Sequence, residues 1–214
     1  MNIVLPQLPD DVDTLKGLGY LMKQDKTLTS ALIQDEDISN LIVRSFSANE
    51  LKLEKIIAIN AKLENTNLSD VSIVHGDITT AKLPDASWRR VLVKDSRCSG
   101  LQLQSSSFKD VTFENCKLNL VNFRYAKLSS VCFEDCVLDE ADFNSSELTN
   151  VYFKNCSLIK VEFSNSKLSN VDFRTSDITQ ILGISSFTGA IIDSVQLSSI
   201  APLLASELKI TVRD

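Results

Sequence analysis

An apolar residue stands at every fifth position from Leu63 to Ile178 without a single slip. The series opens Leu63, Leu68, Ile73, Ile78, Leu83, Trp88, Val93 and Cys98, and later passes through Phe113, Phe123, Phe133, Phe143, Phe153, Phe163 and Phe173. With 43% of the chain apolar, an unbroken run of this length arises by chance about once in 10⁹ trials. The position two residues before each centre is equally regular. It runs Ala61, Thr66, Val71, Gly76 and on to Val171 and Ser176, never charged and mostly small. The other three positions of each unit carry nearly all the polar residues.

A helix repeats every 3.6 residues and a strand every two, so neither alone explains a period of five. A chain that turns a corner every five residues does. Between corners a short extended stretch points the centre and the residue two before it to the same side, as i and i+2 point in a strand. Both line the inside of a coil, and stacked coils share one continuous core. Two longer beats set the size of the coil. Phe and Leu alternate at the centre from Phe113 to Leu168, and Cys116, Cys136 and Cys156 recur every twenty residues. Twenty residues make four sides of five.

Units such as Ala141-Asp142-Phe143-Asn144-Ser145 and Val171-Asp172-Phe173-Arg174-Thr175 resemble the consensus of the pentapeptide-repeat family: a small residue, Asp or Asn, Leu or Phe, then two polar residues. The resemblance covers about residues 61–180, with weaker units at Leu41-Ile42-Val43 and Leu51-Lys52-Leu53. It implies an all-β fold, a right-handed quadrilateral parallel β-helix. The expected division is an N-terminal cap over 1–40, the β-helix over 41–180 (strongest over 61–180), and a C-terminal cap over 181–214. Phe123, Phe143 and Phe163 are expected to stack on one face, and Phe113, Phe133, Phe153 and Phe173 on another, about 4.8 Å apart from coil to coil. After Ile178 the register breaks at Ile181-Leu182-Gly183, and two stray units follow at Ala190-Ile191-Ile192 and Val195-Gln196-Leu197. Ser199 then reads as a helix N-cap, with Pro202 in the first turn and an apolar stripe of Ile200, Leu203, Leu204 and Leu208 over about 199–209. The stripe either covers its own last coil or also meets a second copy in a homodimer, as in dimeric family members. Near the N-terminus, Asp10-Asp11-Val12-Asp13 precedes a short helix through Leu15 and Leu18.

The net charge of −6 argues against direct nucleic-acid binding, which needs clustered Lys and Arg. No run reaches the ~18 apolar residues of a membrane span, and the first residues lack the basic start and apolar stretch of a signal peptide. Five cysteines, an odd number, read as reduced thiols in a cytoplasmic protein. The one histidine, His75, falls on an outward corner with no catalytic neighbour. The Cys116, Cys136 and Cys156 column is expected to be packing rather than zinc, because a ladder points its side chains in parallel and zinc needs tetrahedral convergence. No glycine-rich phosphate loop, dinucleotide fingerprint or calcium loop is present. The sequence therefore leads us to expect no cofactor and no enzyme.

Two binding surfaces stand out. Glu134, Asp135, Asp139, Glu140 and Asp142 form an acidic belt with no Lys or Arg between 134 and 142, suited to a basic partner. Leu120, Val137 and Ile159 fall on one face of successive coils as a small apolar patch. The family resemblance implies a specific partner, a type II topoisomerase (DNA gyrase or topoisomerase IV), bound by mimicry of DNA and carrying quinolone protection. Residues 61–180 hold 16 acids against 14 bases, a net of −2, whereas duplex DNA carries one charge per about 1.7 Å. The other reading is a protein–protein scaffold of a different partner.

Overall fold

In a computed structural model, which describes residues 3–213, the chain is a parallel β-solenoid of about nine turns closed by a C-terminal helix. Residues 1, 2 and 214 of the two expected cap segments lie outside the described residues. The corner residue makes the coil. From Ser30 to Asn170 every fifth residue has a positive φ, between 49° and 67°. This left-handed conformation is costly for most residues and mildest for Gly, Asn and Asp, and the column of corners is rich in them: Asp35, Asn40, Asn60, Asn65, Gly100, Asn165 and Asn170 are examples. Each corner lies two residues after an apolar centre, so the five-residue unit is three extended residues and a reversal.

Twelve strands are numbered β1–β12 along the chain. The eight-residue strands are β2 (Thr27–Gln34), β4 (Ser47–Glu54), β6 (Asn67–Val74), β7 (Ser87–Lys94), β8 (Ser107–Glu114), β9 (Lys127–Glu134) and β10 (Glu147–Lys154). Each bends at its fourth residue, the corner, and so covers two walls of the coil. With β1 (Asp13–Leu15), β11 (Lys167–Asp172) and β12 (Ala190–Ile191), they form a ten-stranded sheet in the order β1-β2-β4-β6-β7-β8-β9-β10-β11-β12. Its register advances by twenty residues per strand through the repeat, as in Phe113↔Phe133↔Phe153. The other two walls are narrower. They hold the two-stranded pair β3 (Ile42–Arg44) and β5 (Lys62–Glu64) and ladders of single bridges such as Lys117↔Val137↔Ser157. Turn bonds such as Val121 N–H to the Leu118 carbonyl (3.2 Å) close the corners of these walls.

The interior follows the expected columns. Phe113, Phe133, Phe153 and Phe173 stack with ring centroids 5.0–5.1 Å apart, and Phe123, Phe143 and Phe163 with 4.9–5.0 Å. The two stacks meet edge to face at 5.7–6.4 Å, the arrangement in which the ring edge of one meets the electron-rich face of the other. Phe187 continues the first stack beyond the last coil, 5.2 Å from Phe173.

The ends differ from the expected boundaries. The coils begin at β2, fourteen residues before 41, because Ala31 and Ile33 already point inward and Ser30 and Asp35 already turn corners. Asp13–Leu15 is a strand on the first coil, and the short helix α1 spans Leu18–Gln24, burying Leu18 and Met22 over the open bore. At the other end α2 spans Ser194–Glu207 rather than 199–209. Its N-cap is Asp193, not Ser199: Asp193 accepts from Gln196 N–H at 2.8 Å, and Gln196 Oε1 accepts from Asp193 N–H at 3.0 Å. Gln196 Nε2 also donates to the Phe173 and Ser176 carbonyls at 2.6 and 2.8 Å. The helix is thereby seated on carbonyls of the last coil.

Candidate docking face

Because the corners repeat in register, outward side chains form rows that cross the coils. The wall between the corners Asp135 and Glu140 carries Val137 and Asp139 between them. Leu120 of the preceding coil and Ile159 of the next lie in line with it, since Leu120 N–H donates to the Asp139 carbonyl (3.0 Å) and Glu140 N–H to the Ile159 carbonyl (2.8 Å). Three of the five belt carboxylates and all three residues of the apolar patch thus share one wall. Leu120 is 58% exposed, and Val137 and Ile159 are half-buried.

The other two belt residues turn away. Glu134 precedes the Asp135 corner and pairs with Lys154 at 3.6 Å, and Asp142 follows the Glu140 corner and pairs with Arg124 at 3.1 Å. Asp135 accepts from Asn155 Nδ2 at 3.2 Å, while Asp139 accepts from Ser157 Oγ at 2.6 Å and Ile159 N–H at 3.2 Å. These are neutral donors, so neither carboxylate is ion-paired through them. Among the described residues no Lys or Arg nitrogen is in ion-pair range of Asp135, Asp139 or Glu140. One coil pair below on the Asp135 corner row, Asp95 accepts from Asn115 Nδ2 at 2.7 Å.

The cysteine column stands on the inner side of this same wall, at the residue that follows each corner. The Cys116, Cys136 and Cys156 thiols each donate to two carbonyls at 3.3–3.4 Å in the same geometry, for Cys136 those of Glu134 and Phe113. Gly76, Ser96 and Ser176 lie in the same column, where Ser96 Oγ accepts from Gly76 N–H at 3.0 Å and Ser176 Oγ from Cys156 N–H at 2.9 Å. The neighbouring Cys116 thiol, together with burial, holds Cys136 up at about 12, and burial pushes Cys132 up to about 11. Thiolate, the nucleophile and metal ligand, is disfavoured at both. No group of three or more His, Cys, Asp or Glu among the described residues could hold a metal. His75 is on an exposed corner, as expected.

Of the helix residues singled out in the sequence, Ile200 is 1% exposed and Leu203 and Leu204 pack against the core. Leu208 is the C-cap and points outward, 67% exposed. Val195 and Leu197, which the five-residue reading assigned to a stray unit, are the outward apolar residues of α2, 76% and 50% exposed. A second constellation was invisible in the sequence. The N-terminal arm crosses the outside of β6, where Gln7 N–H donates to Asp70 Oδ1 at 2.9 Å. Asp70 is 5% exposed and is held by both Arg90 Nε (2.6 Å) and Arg90 Nη2. That guanidinium keeps the Asp70 carboxyl below the usual carboxylate range. Only the twenty-residue spacing of an acid and a base could have hinted at it.

Residues 106–182 match the family model described as a pentapeptide repeat region. No curated protein sequence matches. Among solved structures, a trypsin-treated form of QnrB1, a plasmid-mediated fluoroquinolone resistance protein, is 17% identical, with 88% of this chain and 92% of that chain covered and a TM-score of 0.34. HetL, a pentapeptide repeat protein involved in heterocyst differentiation regulation in the cyanobacterium Nostoc, is 14% identical over 78% of this chain and 90% of that one, with a TM-score of 0.40. A pentapeptide repeat protein of the Arabidopsis thaliana thylakoid lumen is 18% identical over 54% and 68%, with a TM-score of 0.25. Among the described residues no helix is long and apolar enough to cross a membrane. The twenty-residue register runs through residues 106–182 and beyond them on the N-terminal side, with left-handed corners as far as Asn170, so residues 106–182 are a pentapeptide repeat region within a longer solenoid of the same register.

Proposed function

We propose that this solenoid is a non-catalytic docking module whose wall between Asp135 and Glu140 binds a basic, partly apolar protein surface. The observation that carries the proposal is the sharing of one wall by three carboxylates without cationic partners and the apolar Leu120, Val137 and Ile159. A cationic surface gains there from both charge and apolar burial. The narrower form of the proposal takes a type II topoisomerase, DNA gyrase or topoisomerase IV, as that partner, with protection from quinolones as the consequence. The sequence resemblance supports it, and so does the concentration of unpaired negative charge on one wall. The five free thiols fit a reducing, cytoplasmic setting, which is part of the same proposal.

A gyrase supercoiling assay with and without fluoroquinolone tests the narrow form. Inhibition or drug protection at micromolar protein is expected from the wild type. Loss of that effect is expected from the variant Asp135→Lys, Asp139→Lys, Glu140→Lys, with circular dichroism unchanged. Asp142 is left out of the reversal because it already pairs with Arg124. Absence of any effect from the wild type removes the topoisomerase and leaves the docking wall. An equal effect from the variant removes the wall.

Self-association belongs to the proposal too. Val195, Leu197 and Leu208 face outward on α2, while Ile200, Leu203 and Leu204 are used internally. A second copy is therefore expected to meet the first three. Light scattering should give a dimer mass for the wild type and a monomer mass for Val195→Asp with Leu197→Asp. A monomer mass for both excludes the dimer.

A further inference from the structure

The aromatic stacks do not run the length of the bore. Below Trp88 the centres are aliphatic, and two of them, Ala48 and Ala58, are alanines where the next coil holds Leu68 and Ile78, with the ring of Phe46 only partly making up the volume. The missing volume leaves a cavity of about 70 Å³ between Trp88 and the helix α1, whose Leu18 and Met22 close its end. Its lining is apolar apart from Thr66, and the Thr66 hydroxyl is already spent on the Leu63 carbonyl at 2.7 Å. A buried water needs two to four polar partners, and dry apolar cavities instead take apolar guests. The volume is about half that of the ~150 Å³ cavity known to admit benzene or xenon, so a benzene ring is too large.

We propose that the bore of the N-terminal coils is a binding site for a small apolar molecule, of the size of one xenon atom or a two-carbon hydrocarbon. Entry is past Met22, an unbranched side chain that adapts readily, on a seven-residue helix whose N-cap, Gly17, makes no side-chain capping bond. The site is independent of the docking wall: it lies in the first coils, and its guest is recognised by shape and dispersion alone.

Xenon is the probe. Methyl resonances of the labelled full chain are followed under increasing xenon pressure. Saturable shifts are expected at Met22, Leu51, Ile56 and Ile73, and none at Leu138 or Leu158 in the filled coils. Linear shifts of equal size at both ends of the molecule overturn the proposal. The cavity-filling variant Ala58→Leu is expected to abolish the saturable component. Should that variant not fold, Ala48→Val is expected to reduce it at least threefold in affinity. A folded filling variant that keeps the wild-type response also overturns the site.

Discussion

At the scale of single residues, the inward centre and the corner obey different selection. An inward Phe or Leu is worth about 1.5–3 kcal/mol of burial, so a charged residue there is excluded and the five-residue beat is unbroken. The corner asks only for a positive φ, which costs an ordinary residue about 1–2 kcal/mol. That cost is tolerable, and Leu120, Tyr125, Arg90 and Lys160 all bear it. The corner preference was therefore diluted in the sequence, although Asn and Asp gather at it. Leu120→Asn is expected to raise stability by up to about 1 kcal/mol, since Asn tolerates the conformation and Leu120 is exposed. Asn165→Val should cost about 1–2 kcal/mol, because a β-branched side chain suits φ 60° least. Urea midpoints at constant m-value measure both, and a Leu120→Asn midpoint below the wild type would refute the strain argument.

At the scale of elements, the termini are less legible in the sequence than the solenoid between them. The bounds of α2 were displaced because Val195-Gln196-Leu197 can be counted as another five-residue unit, while the Asp193-x-x-Gln196 capping box gives the helix start directly. Two local rules competed, and the cap won because Gln196 also satisfies the Phe173 and Ser176 carbonyls that no further coil covers. Gln196→Ala leaves both buried acceptors without this donor and should cost about 1–3 kcal/mol. Chemical denaturation reads the loss, and a change under about 0.5 kcal/mol, the range of an ordinary surface substitution, would show that the amide is not a clamp. The arm clasp was illegible for another reason, since nothing local in Gln7, Asp70 or Arg90 announces a contact 63 residues apart. Its pH dependence follows from the depressed Asp70 carboxyl. A carboxylate with a lowered folded pKa adds stability that is complete above the unfolded value near 3.9 and is lost as pH falls through the folded value. The stability gap between wild type and Asp70→Asn should therefore be full at pH 6 and shrink as pH falls below about 4. A gap independent of pH would assign the clasp to shape rather than charge.

For the whole molecule, each coil contacts only its neighbours, so stability is a sum of local terms rather than one cooperative core. Those terms are unequal. From Phe113 to Phe187 the bore is filled by continuous ring stacks, whereas the coils below Trp88 hold mostly aliphatic side chains, with the single ring of Phe46, around a cavity of about 70 Å³. At about 24 cal/mol per Å³ of void, that cavity forgoes about 1.7 kcal/mol. The sequence showed the change from Leu and Ile centres to Phe centres, but the missing volume depends on how Ala48 and Ala58 face each other across the bore. The charges behave alike: the acids of the belt are legible, while the cations that cancel two of them, Arg124 and Lys154, come from neighbouring coils about twenty residues away. Unequal coils should open unequally. Native-state hydrogen exchange is expected to show protection rising from β2 to β9, with β8, β9 and β10 exchanging only on global unfolding. Phe143→Ala removes a ring from the middle of a stack and should cost about 3–5 kcal/mol, enough to lower protection in β9 and β10 while β2 and β4 keep theirs. Equal loss in every coil would mean that the solenoid opens as one unit, and the neighbour-only account of its stability would have to be abandoned.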